Sequence, residues 1–312
     1  MKQRVLITAK AHPFLADFFS RKKWEVEVRE SIQYDELKRI IGDYTGLIVS
    51  TRLSIDSSIL DSAAHLKWIG RLGSGMEIID VEYAESKQIA CFSSPEGNCT
   101  AVAEHALGLV LVLYHRIIVS SQYVKQGNWV REANRGLELS GKTVGIIGYG
   151  NTGSSFAQLL QPFEATVLVY DKYKQGIGND GIREVALTEL LEHSDVVSLH
   201  VPLTDETHHI VNDQFFNMLR RKPLLINTSR GSVIDTDALL GALREGKISG
   251  AGIDVLENED LAHFSAAEKE QLRLLTDYDQ VIVTPHIAGY SHEALFKMAD
   301  VLARKLEAAG ML

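Results

Sequence analysis

The sequence lacks several features that would each mark a function class. It has only two cysteines in 312 residues, Cys91 and Cys99, with no CxxC and no zinc-like spacing. No His, Cys, Asp or Glu cluster has metal-ligand spacing, so no metal is expected. The thiols read as the reduced pair of a cytoplasmic protein. Positive charge is also in deficit: 32 Lys and Arg stand against 41 Asp and Glu, a net charge of −9. That balance argues against nucleic acid as the main partner, and an anionic substrate would need a locally basic pocket. No apolar run is expected to reach membrane-spanning length, because His115 and Arg116 end the longest one. Met1 to Thr8 reads as a first strand and not a signal peptide. There are no internal repeats and no low-complexity tract.

What remains is an ordinary globular composition in a chain long enough for two domains. Before residue 98, strands alternate with helices. Val5–Thr8, Glu25–Val28, Gly46–Ser50, Leu66–Leu72 and Ile89–Ser93 are the expected strands. Helices are expected near 12–20, 33–42, 56–64 and 77–87, which makes a small open α/β domain. A long helix follows, over about 99–120, apolar around most of its circumference and so expected at a domain or subunit boundary. From Gly141 a second α/β series has expected strands at Thr143–Ile147, Thr166–Tyr170, Val196–His200, Leu224–Thr228, Gly250–Val255 and Val281–Thr284. The last helix, near 291–309, is expected to cross back onto the first domain.

The most specific local pattern is Gly148-Tyr149-Gly150-Asn151-Thr152-Gly153, directly after an apolar strand and before a helical stretch. Gly148 permits a tight turn, Gly150 lets backbone approach a pyrophosphate, and Gly153 lets the helix pack on the strand. The helix start points free N–H groups at phosphates. The next strand ends on Asp171, 18 residues after Gly153, where a carboxylate accepts bonds from ribose hydroxyls. This order predicts a Rossmann-type dinucleotide domain and NAD over NADP, because a carboxylate repels a 2′-phosphate.

Ligands in such sheets bind outside the carboxyl ends of the strands. Ser229-Arg230-Gly231, then Asp254, Glu257 and Glu259, then Pro285-His286 follow three of the expected strands. Arginine offers a planar fork for carboxylate and carbonyl oxygens. Histidine titrates near neutrality and can move a proton to or from a hydroxyl. A carboxylate behind it stabilises imidazolium and fixes a tautomer. The trio suits hydride transfer to a 2-oxo acid. His105, His115, His193, His208 and His209 read as ordinary helix or loop residues.

With these residues in view, the chain resembles the D-isomer-specific 2-hydroxyacid dehydrogenase family, in its phosphoglycerate dehydrogenase-like branch. The matching motifs are Gly73-Ser74-Gly75, Ser94-Pro95-Glu96-Gly97-Asn98, Glu104-His105-Ala106, the glycine run, His200-Val201-Pro202-Leu203-Thr204, Asn227-Thr228-Ser229-Arg230-Gly231, Asp254-Val255 and Thr284-Pro285-His286. The resemblance implies two doubly wound parallel-sheet domains. A flavodoxin-like substrate domain would use residues 1–98 and 291–312, and a Rossmann-type NAD domain residues 99–290.

It implies catalysis by Arg230, His286 and Glu259, with Glu257 the local competitor for the last role. Asn151 and Thr152 would meet the pyrophosphate, Asp254 the nicotinamide amide, and Val201, Thr207 and Thr228 the length of the cofactor. Gly73, Ser74 and Gly75 would offer amides to the substrate carboxylate, and Arg52 would be a further substrate contact. The partners implied are a small anionic 2-hydroxy or 2-oxo acid and a second copy of the chain, with no nucleic acid and no membrane. Asp260 replaces a common Pro, and Ser50 and Cys99 stand where relatives often carry Arg. No regulatory domain is expected beyond Leu312. 3-Phosphoglycerate and an unphosphorylated acid both stay open as substrates. So do a generalist glyoxylate/hydroxypyruvate reductase and a corepressor-like nucleotide sensor.

Overall fold

The computed structural model describes residues 3–312; Met1 and Lys2 of the expected first strand lie outside the described residues. The chain folds as two units. One runs through Cys99 and takes up again at Gly289–Leu312, and the other is Thr100–Ala288.

The first unit holds β1 (Arg4–Ile7), β2 (Glu25–Val28), β3 (Gly46–Val49), β4 (Trp68–Arg71) and β5 (Ala90–Ser93). All pair in parallel, in the order β2-β1-β3-β4-β5. A parallel sheet is covered on both faces, so its inner strands are apolar throughout instead of alternating. Leu6, Leu47, Val49 and Ile69 face helices Tyr34–Ile40, Ser57–Ser62 and Val81–Ser86 through Leu37, Ile59, Leu60 and Ala84. The alternate residues Val5, Ile7, Ile48 and Trp68 meet Leu15 and Phe19 of helix Phe14–Arg21 and Ala299, Leu302 and Leu306 of helix His292–Ala308. The terminal helix is therefore part of this core. Gly70 makes room for it: a Cβ there would lie 2.7 Å from the Leu302 side chain.

Among the described residues the second unit has seven parallel strands, one more than expected: β6 (Thr143–Ile147), β7 (Thr166–Tyr170), β8 (Ile182–Glu184), β9 (Val196–Leu199), β10 (Leu224–Asn227), β11 (Gly250–Ile253) and β12 (Val281–Val283). Their order is β12-β11-β10-β9-β6-β7-β8. The strand β8 escapes a periodicity reading because it is three residues long and only Ile182 is buried. The direction of winding reverses between β6 and β9, the switch point at which such sheets bind ligands. The two sheets are thus doubly wound, Rossmann-type here and flavodoxin-like in the first unit.

The expected helix over 99–120 is two helices, Pro95–Tyr114 and Ile117–Lys125. The chain breaks at Arg116, whose φ of 52° lies in the left-handed region. Helix Pro95–Tyr114 is, by length and composition, apolar enough to cross a membrane, which the sequence pattern did not predict. Its Ala103, Ala106, Leu109 and Val110 lie instead in a core with Val144, Ile146, Val196 and Ile226.

Candidate active site

The glycine turn after β6 has the geometry its spacing predicts. Gly148 takes a φ of +93°, and a Cβ on it would strike His200 O at 2.4 Å. A Cβ on Gly153 would meet Gly148 O at 2.1 Å, so helix Asn151–Leu160 can sit this close only with glycine there. Gly150 differs: a Cβ there would meet nothing within 4 Å. Its openness is room for a ligand, not for packing. No side chain caps the helix that Gly150 begins, so the first-turn amides of Asn151 and Thr152 lie at an uncapped end suited to an anion.

Asp171 ties this turn to the next. Its carboxylate accepts from Tyr149 N–H at 2.8 Å, from Tyr173 N–H at 3.0 Å and from Lys174 N–H at 3.2 Å. Lys174 Nζ donates back to Tyr149 O at 2.8 Å. In the loop after β9, Thr207 Oγ1 donates to Pro202 O at 2.6 Å and accepts from Thr204 N–H at 2.8 Å, so this hydroxyl shapes the loop. Val201 packs on the core beside it. After β10, Thr228 Oγ1 is buried with no hydrogen-bond partner among the described residues. An open Gly150, an uncapped helix start and an orphaned hydroxyl at one sheet edge fit a dinucleotide.

The neighbouring strands β10, β11 and β12 deliver Arg230, Glu259 and His286 to the same edge. Asn227, fully buried, builds the first of these loops: its Oδ1 accepts from Ser229 N–H at 3.0 Å and Ser229 Oγ at 2.7 Å, and its Nδ2 donates to Arg230 O at 3.0 Å. Arg230 Nη1 donates to Ser229 O at 2.7 Å. A Cβ on Gly231 would lie 1.9 Å from Leu256 O, so this loop runs directly against the one that carries Glu259.

His286 Nδ1 is 2.9 Å from Glu259 Oε2. The histidine takes a φ of +54°, a costly conformation for a residue with a Cβ. Asp254 holds it there. Its carboxylate accepts from Thr284 Oγ1 at 2.5 Å, Ile287 N–H at 2.9 Å and Ala288 N–H at 2.8 Å, and its carbonyl accepts from His286 N–H at 2.7 Å. His105 Nε2 lies 3.1 Å from the same threonine hydroxyl. Asp254 is 1% exposed and frames the His286 loop. The sequence pattern does not give it that job, nor any part to Asn227, Thr284 or His105. The signal available was the Thr-Pro-His run itself, since a hydroxyl next to a loop histidine is a ready local donor.

Glu257 turns away from His286. Its Oε1 accepts from Thr236 N–H at 2.9 Å and Thr236 Oγ1 at 2.6 Å, and its Oε2 is 2.7 Å from His209 Nε2. Burial pushes this carboxyl up, but the Thr236 and His209 bonds outweigh it and hold it below the ordinary carboxylate range. His209 is therefore engaged where the sequence suggested a plain loop residue. His200, also read as part of a motif only, is buried, 2.8 Å from Ser198 Oγ, and burial pushes its imidazole down to about 4.

On the first unit, Gly73 has a φ of +133° and its N–H donates to Ser94 Oγ at 3.0 Å. That bond engages one of the three amides expected to meet the substrate carboxylate. Arg52, on the same unit, donates to Ile32 O at 2.6 Å and Thr8 O at 3.3 Å.

Residues 107–288 match the family model of the D-isomer specific 2-hydroxyacid dehydrogenase, NAD binding domain. The chain belongs to the D-isomer specific 2-hydroxyacid dehydrogenase family. Members of this family are NAD-dependent oxidoreductases that act on a CH–OH group. A glyoxylate reductase of Thermofilum pendens is 37% identical over 90% of this chain and 84% of its own length. A D-3-phosphoglycerate dehydrogenase of Archaeoglobus fulgidus is 32% identical over 97% of this chain, which spans about half, 56%, of that relative. Among solved structures, the D-lactate dehydrogenase from Aquifex aeolicus complexed with NAD and lactic acid superposes with a TM-score of 0.84, at 30% identity, over 99% of this chain and 96% of that one. The matched domain is an NAD-binding one, and the Aquifex enzyme holds NAD, so the cofactor is NAD.

Proposed function

We propose that the protein interconverts a small, unphosphorylated D-2-hydroxy acid and its 2-oxo acid with NAD. The observation that carries the reading is the His286–Glu259 pair, held on a strained loop at the cofactor edge of the second unit. NAD, when bound, takes up or supplies the hydride at the substrate's C2. Arg230 forks onto the carbonyl and carboxylate oxygens and polarises the carbonyl. Glu259 fixes a proton on His286 Nδ1, which leaves Nε2 to give a proton to the carbonyl oxygen or take it from the hydroxyl. Asn151 and Thr152 are assigned to the pyrophosphate, Asp171 to the adenosine ribose, Val201 and Thr228 to the cofactor's length, and Ser74 and Gly75 to the carboxylate.

The choice of an unphosphorylated acid rests on the first unit's arginines. Arg52 spends its guanidinium on two backbone carbonyls, and Arg71 is 8% exposed and donates to Leu72 O at 2.6 Å. Neither stands out as a phosphate ligand, and Ser50 takes the place of a third. Oxidation of NADH by the purified protein with glyoxylate, hydroxypyruvate, pyruvate and phosphohydroxypyruvate tests the proposal. A strong preference for the phosphorylated acid overturns the substrate class. No turnover with any of them, together with tight NADH binding, favours a nucleotide sensor instead.

We further propose a homodimer in the cytoplasm. Ile117, Ile118 and Val124 on helix Ile117–Lys125 are exposed, and so are Trp129, at 81%, and Leu137 in the segment that follows. An apolar run of this kind on one unit suits a second copy. Both cysteines are free thiols, as a reducing compartment keeps them. Light scattering of the purified protein checks the dimer, and cell fractionation the location.

A further inference from the structure

Asp171 is not alone at the ribose edge. The strand β6 lies between β7 and β9 in the sheet, so the loops after β7 and β9 flank the glycine turn. Those two loops are bridged. Glu206, after β9, pairs with Lys172 Nζ at 2.8 Å and accepts from the Tyr173 hydroxyl, both after β7. Lys172 also lies over the Tyr173 ring, 5.6 Å from its centroid. Lys172 and Tyr173 directly follow Asp171, whose carboxylate the proposed function assigns to the adenosine hydroxyls.

Charge accounting gives the bridge a meaning. Two cations, Lys172 and Lys174, adjoin Asp171 in sequence. A 2′-phosphate carries nearly two negative charges and is held by nearby Lys or Arg. Lys174 is turned to Tyr149 O, and Lys172 is held by Glu206. The hydrogen bond to Glu206 comes first among the influences that hold the Lys172 ammonium above its ordinary value, and the bond to Lys172 first among those that hold Glu206 below its own. With Glu206 in place, the four groups Asp171, Glu206, Lys172 and Lys174 sum to zero; without it, a released ammonium and one net positive charge face the ribose.

We propose that Glu206 is a second determinant of cofactor choice, one that keeps Lys172 from serving a 2′-phosphate and so makes NADP a poor ligand independently of Asp171. The adenosine edge then has two locks. Asp171 repels the phosphate directly, and Glu206 withholds the cation that would receive it. The bridge is solvent-exposed, with about half of each side chain's surface open (55% for Lys172, 52% for Glu206), so it adds little to stability and can be removed without unfolding the protein.

The test is binding, read by NADH and NADPH fluorescence or calorimetry with no substrate present. NADH binding by the unmodified protein confirms the cofactor site itself, so failure there is separable from failure of this proposal. Glu206→Gln is expected to tighten NADPH about tenfold while NADH changes less than about threefold, the size of effect seen for close charge pairs at binding sites. Lys172→Ala in the Glu206→Gln background is expected to erase that gain. Asp171→Ser combined with Glu206→Gln is expected to tighten NADPH more than either change alone. The proposal is overturned if Glu206→Gln leaves NADPH affinity unchanged, if it strengthens NADH and NADPH equally, or if the gain survives loss of Lys172.

Discussion

Glu259 reaches His286, and Glu257 does not. The first carboxylate lies 2.9 Å from Nδ1 of the histidine; the second is taken by Thr236 and His209. The loop's path explains the split: residues two apart point the same way only if an extended loop is straight, and this one bends at Glu257.

The two acids are therefore expected to behave differently. Glu259→Gln should cut turnover about 10–100-fold, because His286 Nδ1 loses the carboxylate that orients its ring and fixes its proton. His286→Ala should cut turnover about 10²–10⁴-fold with little effect on NADH binding. Glu257→Gln should leave turnover nearly unchanged and lower thermal stability, because Thr236 opens its helix against that carboxylate. Steady-state kinetics and thermal melts check all three; a turnover loss confined to Glu257→Gln would reverse the assignment.

Asp254→Asn should damage the loop without touching substrate. The amide that replaces one carboxylate oxygen has to face an N–H, from Ala288 or from Ile287, donor against donor. Leaving one buried donor unpaired costs about 1–3 kcal/mol. A lower urea midpoint and turnover reduced at least tenfold are the expected outcome, measured on the same preparation. Unchanged turnover would show that His286 keeps its place without this frame.

Arg230→Lys should lose about 10²–10³-fold in kcat/KM, the usual worth of one oriented donor at a reacting oxygen. A lysine keeps the charge and loses the planar fork. The competing outcome, near-normal catalysis with a raised KM only, would make Arg230 a binding charge and not a polarising group.

His200 gives a pH dependence of stability with a definite sign. Its folded value is about 4, against 6.5 for an ordinary histidine, and burial is the cause. Between these values the unfolded chain takes up a proton that the folded chain refuses. This contribution is fully present above 6.5 and fades as pH falls toward 4, by ~3 kcal/mol in all. Thermal melts between pH 7 and pH 4 should show it, and His200→Gln should flatten the slope relative to the parent.

The glycine turn and Asp171 were legible in the sequence because each has a local cause. A positive φ, a close approach and an open face all demand glycine at fixed spacing, and the acid follows at the next strand end. The seven-stranded order could be read only as six, since β8 carries one buried residue and no period. The break at Arg116 had no signal, because the apolar pattern continues through Ile117, Ile118 and Val119 and the residue in the left-handed region is not glycine. The partners of Asp254 lie 30 or more residues along the chain, and His209 lies 48 from Glu257, so only the fold could join them. The Glu206 bridge has the same character: its two ends belong to loops that the sheet order, not the sequence, makes neighbours.

The short strands at the sheet margins have a consequence for growth of aggregates. β8 and β12 close the larger sheet with three residues each, and β2, at one margin of the smaller, carries Glu25 and Glu27 among its four. An unpaired margin is where a stray chain adds by backbone pairing and then templates the next. Here the ladder is too brief or too charged to extend. The molecule should therefore stay clear at high concentration in cell extracts, and turbidity on heating should follow unfolding and not precede it.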